Sequence, residues 1–371
     1  MLRIGLCGCG GIAWTHARAL HVAMEQLNRE AAENGEGKQV TLAAVTAIAD
    51  VRSDRFAQIK EIYPEAQEFA SANDLIDSGS VDVVWLALPS YLHAEHAIRA
   101  MEKGLDVFCE KPVALTYEDM DAMLETQQRT GSKVMVGQVV RFFPAYAALK
   151  DIVLDGRYGR LNALTLTRLT SMPRWSWQNW FADLDKSGSV YMDLHIHDLD
   201  YVRWLLGEPD SVSSLHTLNA DGMPNQAMTT MLYKDKTDAP ADAAGDSVST
   251  EKSSAEHPPL FVVAQGLWDV SPAQTFCPGY TAYFEHATLH CDGENIIASL
   301  EDGTSEPLPV AVEEKKDDNP QINVASVLPY ALEDEYFLDR LLSGKPVEEC
   351  SLEDAVKSAR LARKLLDAAI G

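Results

Sequence analysis

The chain has 371 residues, enough for two domains that each bury a hydrophobic core. Its 31 basic and 56 acidic residues give a formal net charge of −25 (31 − 56), which disfavours binding to nucleic acid or to an anionic membrane. A strand is predicted from residue 2 and no apolar run approaches about 18 residues, so we expect neither a signal peptide nor a membrane span. Six cysteines without a Cys-x-x-Cys pair fit a reducing cytoplasm, and we expect a cytoplasmic protein.

The first predicted strand, residues 2–6, leads into a glycine-rich turn that an apolar helical pattern follows. This turn predicts a dinucleotide site formed by five residues: Gly8, Gly10, Gly11, Ile12 and Ala13. Gly8 permits the tight turn, Gly10 lets the backbone approach the pyrophosphate, and Ala13 lets the helix pack close to the strand. The amino-terminal end of the helix then faces the phosphates with its N–H groups.

The second predicted strand, residues 41–49, ends at Asp50. A carboxylate at this position can accept both hydroxyl groups of the adenosine ribose, which favours NAD over NADP. Asp50 lies farther from the glycines than the usual distance of about 20 residues, and we attribute the difference to a longer helix and a polar loop at 28–39. Arg52 follows closely and could accommodate a 2′-phosphate, so NADP remains possible.

Strands and helices continue to alternate. Strands are predicted at 80–88, 105–109 and 134–138, with helices at 93–103 and 117–130. This alternation predicts a parallel sheet with helices on both faces, and ligands of such sheets bind at the carboxyl ends of the strands. Four polar or turn-forming residues fall at those ends: Pro89, Glu110, Lys111 and Gln138.

Residues 187–207 form an apolar segment that carries an acid and a base. Asp193 precedes His197 by four residues, about one helical turn, so both side chains should point from the same face. An acid and a base on a rigid helix suit proton transfer. His195 should point elsewhere, and the remaining acidic residues scatter around the helix axis, so we expect no metal site.

Together, Glu110-Lys111-Pro112 after a strand, the preceding glycine turn and Asp193-x-x-x-His197 resemble the Gfo/Idh/MocA oxidoreductases. This family includes inositol dehydrogenases, glucose–fructose oxidoreductase and related sugar dehydrogenases. The resemblance runs from residue 2 to about residue 207, and it departs from the family where His195 replaces a frequent glycine. The matching segments also contain three residues expected near the ligands: His93, Gln138 and Arg141.

The resemblance implies an α/β fold with an N-terminal Rossmann domain and a C-terminal α/β domain that contains an open, largely antiparallel sheet. We place these domains at 1–139 and 140–371, and we expect a mobile insertion at 234–259 because that stretch is rich in Ala, Asp, Ser and Pro. In the family the open sheet usually makes the subunit interface, so we expect a homodimer or homotetramer.

The resemblance also places Lys111 near the reacting carbon and the nicotinamide. We predict reversible hydride transfer in which the substrate hydroxyl loses its proton to His197, since an imidazole pKa near about 6.5 suits a base at neutral pH. Lys111 would stabilise the developing alkoxide or carry the proton itself, and Asp193 would bind a substrate hydroxyl or orient the imidazole. The alternatives are a surface lysine, a core histidine and an acid that only favours a helix amino terminus.

Three tryptophans lie within residues 175–180. Trp177 and Trp180 could stack on a sugar or cyclitol ring while Asn179 binds its hydroxyl groups. Equally, the indoles could pack this loop onto its own domain or onto another subunit.

The rest of the chain is rich in predicted strands, at 161–170, 211–218, 228–233, 261–270 and 281–291, with an acidic loop at 301–320 and a final helix at 352–369. The favoured function is an NAD(P)-dependent oxidoreductase that acts on a secondary hydroxyl or ketone of a sugar, polyol or cyclitol. The alternatives are an NAD-dependent glycosidase that oxidises its sugar transiently, and a nucleotide-sensing regulator without catalysis.

Overall fold

The computed structural model describes residues 1–34, 41–174, 176–234, 258–268, 271, 275–311 and 326–371. Within these residues the strands form one parallel and one mixed sheet, which confirms the predicted α/β class. No helix in this part of the chain is long and apolar enough to cross a membrane. Most of the predicted insertion, residues 235–257, lies outside the described residues, as does Trp175.

The N-terminal sheet has six parallel strands in the order β3-β2-β1-β4-β5-β6. They are β1 (Leu2–Cys7), β2 (Ala43–Ala49), β3 (Gln67–Phe69), β4 (Val83–Leu86), β5 (Asp106–Glu110) and β6 (Val134–Gly137). The helices are α1 (Gly11–Asn34), α2 (Phe56–Lys60), α3 (Ala72–Asp77), α4 (His93–Glu102) and α5 (Tyr117–Thr130). The strand order reverses between β1 and β4, the position at which dinucleotides bind in doubly wound sheets.

Burial explains which of these strands the sequence predicts. Every residue of β4 and β6 is buried, as expected for strands that helices cover on both faces. Strand β3 was not predicted, since it has only three residues at the sheet edge and is mostly exposed. Thr116 caps the start of α5 by accepting a hydrogen bond from the Asp119 amide, and Gly131 ends it in a left-handed conformation.

The second sheet has eight strands in the order β14-β13-β12-β11-β7-β10-β9-β8. They are β7 (Leu161–Leu169), β8 (Ser211–Leu218), β9 (Pro224–Tyr233), β10 (Leu260–Leu267), β11 (Cys277–Phe284), β12 (Ala287–Cys291), β13 (Ile296–Leu300) and β14 (Ser305–Leu308). Only the β7–β10 pair is parallel. The single strand predicted at 281–291 is wrong, because a turn at 285–286 divides it, and β14 lies within the stretch predicted as an acidic loop.

The later helices are α6 (Pro144–Asp155), α7 (Leu184–Ser187), α8 (Ile196–Leu206), α9 (Leu328–Ser343) and α10 (Leu352–Ile370). A π-helical turn, Tyr191–His195, precedes α8 and packs on β9 and β10. Helix α9, which the sequence analysis did not identify, returns to the N-terminal sheet and lies along α1. Its Phe337 packs against Trp85 and Phe108. A domain boundary at residue 139 therefore separates the two sheets, but α9, which comes after that boundary, packs with the first sheet.

Candidate active site

The glycine turn after β1 leaves space for a pyrophosphate. Gly8 has a φ of +95°, and a Cβ atom there would lie 2.4 Å from the Ala87 carbonyl oxygen, so a side chain is excluded. A Cβ at Gly10 would meet nothing within 4 Å, so the turn is open towards a ligand. The first turn of α1 follows at once and contains the other predicted residues: Gly11, Ile12 and Ala13. The positive end of the helix dipole therefore points at this opening, which fits a dinucleotide.

Asp50 is held beside this turn. Its Oδ2 accepts a hydrogen bond from the Cys9 amide at 2.7 Å, and its Oδ1 accepts one from the Arg52 amide at 2.8 Å. The Arg52 guanidinium forms an ion pair with Asp54 at 2.5 Å. It also lies 5.0 Å from the ring centre of Trp177, in the loop that follows β7 of the second sheet. The adenosine end of a bound dinucleotide would thus meet a fixed carboxylate and an arginine whose charge is already paired.

Lys111 directly follows β5 of the first sheet and binds Asp193, which lies in the π-helical turn that packs on the second sheet. Its Nζ donates hydrogen bonds to Oδ1 and to the backbone oxygen of Asp193, both at 2.8 Å. The two side chains are 15% and 13% exposed, so the ion pair is shielded but not sealed from solvent. Asp193 lies in the π-helical turn and His197 in α8, so the single α-helical turn predicted for this pair is wrong.

His197 lies within electrostatic reach of the same lysine. Burial, followed by the positive charges of Lys111 and Arg168, holds the pKa of His197 well below its ordinary value. Its Nδ1 is buried and has no hydrogen-bond partner among the described residues. The imidazole is therefore neutral at pH 7 and can accept a proton. We call Lys111, Asp193 and His197 the front cluster.

A second group of charges lies behind Lys111. Oε2 of Glu110 accepts a hydrogen bond from the Lys111 amide at 3.0 Å, and its Oε1 is 2.8 Å from Nε2 of His16. Nδ1 of His16 is 3.2 Å from Oδ1 of Asp334 in α9, and the same oxygen accepts the indole N–H of Trp85 at 2.9 Å. Burial lowers the pKa of His16, but the carboxylates of Asp334 and Glu110 outweigh it and raise the pKa to about 10.

His16 is thus an imidazolium, and both of its N–H groups donate to carboxylates. Glu333 adds a third buried carboxyl group, and neither of its oxygens has a hydrogen-bond partner among the described residues. Burial and the neighbouring Glu110 raise the pKa of Glu333 well above its ordinary value. We call His16, Glu110, Glu333 and Asp334 the rear cluster.

A buried arginine–aspartate pair, formed by Arg168 and Asp198, lies next to His197 and involves β7 of the second sheet. Arg168 on β7 donates two hydrogen bonds to Oδ1 of Asp198, at 2.8 and 3.1 Å. His195 points to the sheet, as its spacing from His197 predicts, and its Nε2 is 2.8 Å from the hydroxyl of Thr229. Burial lowers the pKa of His195 to about 3, so it is a neutral core histidine.

The sequence analysis missed His16, Arg168, Glu333 and Asp334. Two signals were present: Arg168 stands at a core-facing position of an alternating strand, and two carboxylates interrupt the apolar face of α9.

The structure places Arg141 away from the front cluster. Its buried guanidinium binds Asp200 at 2.6 and 2.8 Å and Asp354 at 2.5 Å, which ties α8 to α10. It also borders a cavity of about 310 Å³ between α6 and α8 that contains no residue of the front cluster. Arg141 therefore joins elements of the fold, and we do not include it among the proposed substrate contacts.

His93 is similarly committed to the fold. Its Nδ1 is 2.7 Å from the Pro112 carbonyl oxygen and its Nε2 is 2.8 Å from the Leu88 carbonyl oxygen, so it links the segment after Lys111 to the turn after β4. Pro89 precedes a 3₁₀ turn at the end of β4, and Gln138 is buried at the end of β6 with its Oε1 unpaired among the described residues.

The predicted aromatic loop divides into two parts. Trp180 stacks on Phe181 at a ring distance of 3.8 Å and Phe181 packs on Trp268, so this indole anchors the loop to its own domain. Trp177 and Asn179 are exposed, and Trp177 faces Arg52.

Two family models match the chain. Residues 2–138 match the oxidoreductase family with the NAD-binding Rossmann fold, and residues 146–255 match the GFO/IDH/MocA C-terminal domain. The myo-inositol 2-dehydrogenase of Thermotoga maritima is 30% identical over 210 residues, which cover 56% of this chain and 55% of that protein. The 2,7-anhydro-N-acetylneuraminate hydratase of Mediterraneibacter gnavus is 39% identical over 127 residues, 34% of each chain. The match thus spans about half or less of these relatives.

Solved structures share the whole fold at low sequence identity. A levoglucosan dehydrogenase crystallised with NADH and levoglucosan has a TM-score of 0.75 and 19% identity, with coverage of 99% of this chain and 96% of the other. An oxidoreductase from Agrobacterium radiobacter in complex with NAD+, L-tartaric acid and magnesium has a TM-score of 0.73 and 18% identity, with the same coverage. The chain belongs to the Gfo/Idh/MocA oxidoreductase family, and its N-terminal sheet with the glycine turn is that family's NAD-binding Rossmann domain.

Proposed function

We propose that the protein is an NAD-dependent oxidoreductase that interconverts a secondary hydroxyl and a ketone on a sugar, polyol or cyclitol. One observation carries the proposal: the Lys111 ammonium meets the Asp193 carboxylate beside a neutral His197, at the edge of the sheet where a dinucleotide binds. We further propose the predicted domains, 1–139 for the coenzyme and 140–371 for the substrate, with α9 packed on the first.

Each member of the front cluster has a role that its surroundings support. His197 accepts the hydroxyl proton, because its imidazole is neutral. Lys111 donates to the substrate oxygen and stabilises the negative charge that develops there. Asp193 holds the ammonium in place and accepts a hydrogen bond from a neighbouring substrate hydroxyl. When bound, the nicotinamide supplies the hydride exchange.

The same site favours NAD over NADP. Asp50 places a carboxylate where the 2′-phosphate of NADP would lie, and the two would repel each other. Arg52 offsets this repulsion only weakly, because its guanidinium already pairs with Asp54. The substrate class rests on relatives whose names include inositol 2-dehydrogenases and on a fold shared with a levoglucosan dehydrogenase.

A panel of inositols, hexoses, anhydrosugars and sugar acids, each with NAD and with NADP, tests this function through the appearance of reduced coenzyme. We expect turnover with at least one polyhydroxylated substrate and a preference for NAD. No coenzyme binding by the wild-type protein, or turnover that persists unchanged in Lys111→Ala, would disprove the proposal.

A redox-neutral reaction is the second candidate, and the likeness to two anhydrosialic acid hydratases favours it. In such a reaction bound NAD would be reduced and reoxidised within one turnover, as in the glycosidase alternative. The two candidates are separated by measuring product and reduced coenzyme together: a dehydrogenase forms them in equal amounts, whereas a redox-neutral enzyme forms product alone.

We propose that the open face of the second sheet makes a subunit interface. Its outward-facing positions carry exposed apolar residues on five of its eight strands: Leu215, Met228, Phe261, Tyr283 and Ile297. Apolar residues exposed together on one face are typical of protein–protein contact surfaces. Phe261→Asp should convert an oligomer into a monomer in light scattering, and a monomeric wild-type protein would disprove the interface.

A further inference from the structure

Residues 177–193 follow the carboxyl edge of the N-terminal sheet and contact it at three places. Trp177 meets Arg52, two residues after Asp50 and just beyond β2, at 5.0 Å. Farther along, the Lys186 ammonium lies 5.8 Å from the ring centre of Tyr91, in the turn after β4. Asp193 then binds Lys111, directly after β5.

The order of these contacts matches the path of a dinucleotide. In a doubly wound sheet the adenosine ribose lies at the end of β2, the pyrophosphate lies at the glycine turn after β1, and the nicotinamide extends towards the strands on the other side. The sheet order β2-β1-β4-β5 therefore runs from the adenosine end to the nicotinamide end. The segment makes its three contacts in the same order, so it follows the path that a bound coenzyme would take.

We propose that residues 177–193 form a strap over the bound coenzyme, with Trp177 as a coenzyme-retaining residue at the adenosine end. This inference rests on the proposed function and extends it from the nicotinamide end to the opposite end of the coenzyme. Trp177 was predicted to bind substrate, but its contact with Arg52 puts it at the end of the coenzyme site remote from Lys111. The strap must leave Arg52 before NADH can dissociate.

The loop geometry supports a defined position for Trp177. Gln178 and Asn179 both have a φ of +52°, and the Asn179 amide donates to the Ser176 carbonyl oxygen at 2.9 Å. Trp180 and Phe181 then anchor the strap in the second domain. Trp177 is therefore projected from a tight, anchored turn, and a substitution of its exposed side chain should leave the fold intact.

The test is the rate at which NADH leaves the full-length protein, measured by stopped-flow displacement with excess NAD. Trp177→Ala should accelerate dissociation about threefold to fivefold, the range expected for loss of an exposed cation–π contact. Trp177→Phe keeps a ring over Arg52 and should change the rate less than twofold. Arg52→Ala should behave like Trp177→Ala, whereas Arg157→Ala should not. Arg157 is the matched control, because it forms a similar ion pair with a carboxylate two residues away, at Asp155.

Energy transfer from tryptophan to bound NADH gives a second measurement. Trp177→Phe should lower the sensitised emission of NADH, and Trp204→Phe should not, because Trp204 lies in α8 beside Lys150. Wild-type rates and emission in both Trp177 variants would overturn the strap and leave the proposed function standing. Failure of the wild-type protein to bind NADH would instead remove the proposed function, and the strap with it.

Discussion

Lys111 lies between two groups of charges that differ in almost every physical respect. In front, Asp193 and His197 come from the second domain, and the ion pair remains partly accessible to solvent. Behind, Glu110 binds the Lys111 amide and is itself held by His16, and the side chain of His16 is completely buried. The front cluster borders the proposed ligand site, whereas the rear cluster is buried among the described residues.

This difference in burial suggests different roles: the front cluster suits the reaction itself, and the rear cluster suits holding Lys111 in position. A group that binds substrate has to be accessible, and the Lys111–Asp193 ion pair is partly exposed. A buried ion pair contributes little net stability when intact, but it is costly to break, because the remaining charge has no partner and no water. The rear cluster is therefore suited to holding the backbone of Lys111 in position, through the hydrogen bond from the Lys111 amide to Glu110. Substitutions in the front cluster should mainly lower activity, whereas substitutions in the rear cluster should mainly lower stability.

The largest expected effect is the loss of activity in Lys111→Ala. Removal of the ammonium takes away the group that stabilises the developing alkoxide, and we expect kcat to fall about 10³-fold. The free energy of unfolding should fall less than it does for a substitution in the rear cluster, because the Lys111–Asp193 ion pair is partly exposed to solvent. Steady-state kinetics and urea denaturation provide the measurements.

Lys103→Ala is the control for charge removal, since that lysine pairs with Asp77 on the surface of the same domain. It should retain wild-type kcat. A Lys111→Ala enzyme within a few-fold of wild type would assign Lys111 to the fold rather than to the reaction.

The next largest effect concerns the rear cluster and is a loss of stability. His16→Gln removes the imidazolium from between two buried carboxylates, and we expect the free energy of unfolding to fall by about 3 kcal/mol at pH 7. His21→Gln on the same helix is the control, because the side chains of His21 and of its carboxylate partner, Glu25, are both exposed. Urea denaturation measures both, and kcat should fall less than in Lys111→Ala.

The pH dependence of this effect has a defined sign. The folded-state pKa of His16, about 10, lies above its unfolded value of 6.5. Its stabilising contribution is therefore complete below pH 6.5 and is lost as the pH rises towards 10. The stability difference between wild type and His16→Gln should shrink from pH 7 to pH 9, and a constant difference would show that His16 is not charged.

The two clusters also differ in how far the sequence predicts them. Asp193 and His197 are close in sequence, and the motif around Lys111 is one that the family resemblance identifies, so the front cluster is predictable. The rear cluster joins His16 to Asp334 across 318 positions, and no local pattern encodes such a distance. The apolar periodicity of α9 indicates a helix but does not indicate that the helix packs against α1.

Strands with a continuous run of buried apolar residues can be predicted from the sequence. Strands that are mostly exposed, and that form only because they pair with an adjacent strand, cannot. Strand β4 is buried throughout and stands out as an apolar run, whereas β3 is exposed and is recognisable only from its pairing with β2. The π-helical turn at Asp193 is likewise invisible in the spacing of apolar residues, because one wide turn hardly shifts the pattern.

His197→Ala tests the proton acceptor of the front cluster. We expect kcat to fall about 10²-fold, the lower range for loss of a general base, since Lys111 remains to stabilise the alkoxide. The folded-state pKa of His197 lies well below 6.5, so the wild-type imidazole stays neutral as the pH falls from 8 to 6. Protonation of His197 should therefore not lower the kcat/KM of the wild-type enzyme between pH 8 and pH 6. The result that would contradict this is a decline over that interval that is present in the wild type and absent in His197→Ala. Such a decline would mean that the imidazole is charged near neutral pH and is not a free base.

The smallest expected effect distinguishes His197 from its neighbour two residues away. His195 bonds to the Thr229 hydroxyl within the core, so Thr229→Val leaves a buried imidazole nitrogen unpaired without changing the shape of the side chain. This should cost about 1 kcal/mol of unfolding free energy and leave kcat within about twofold. Thr230→Val on the opposite, exposed face of β9 is the matched control and should be neutral in both measurements. A large loss of activity in Thr229→Val alone would mean that His195, through the π-helical turn, positions Asp193, and that the chemistry of the site extends into the core of the second sheet.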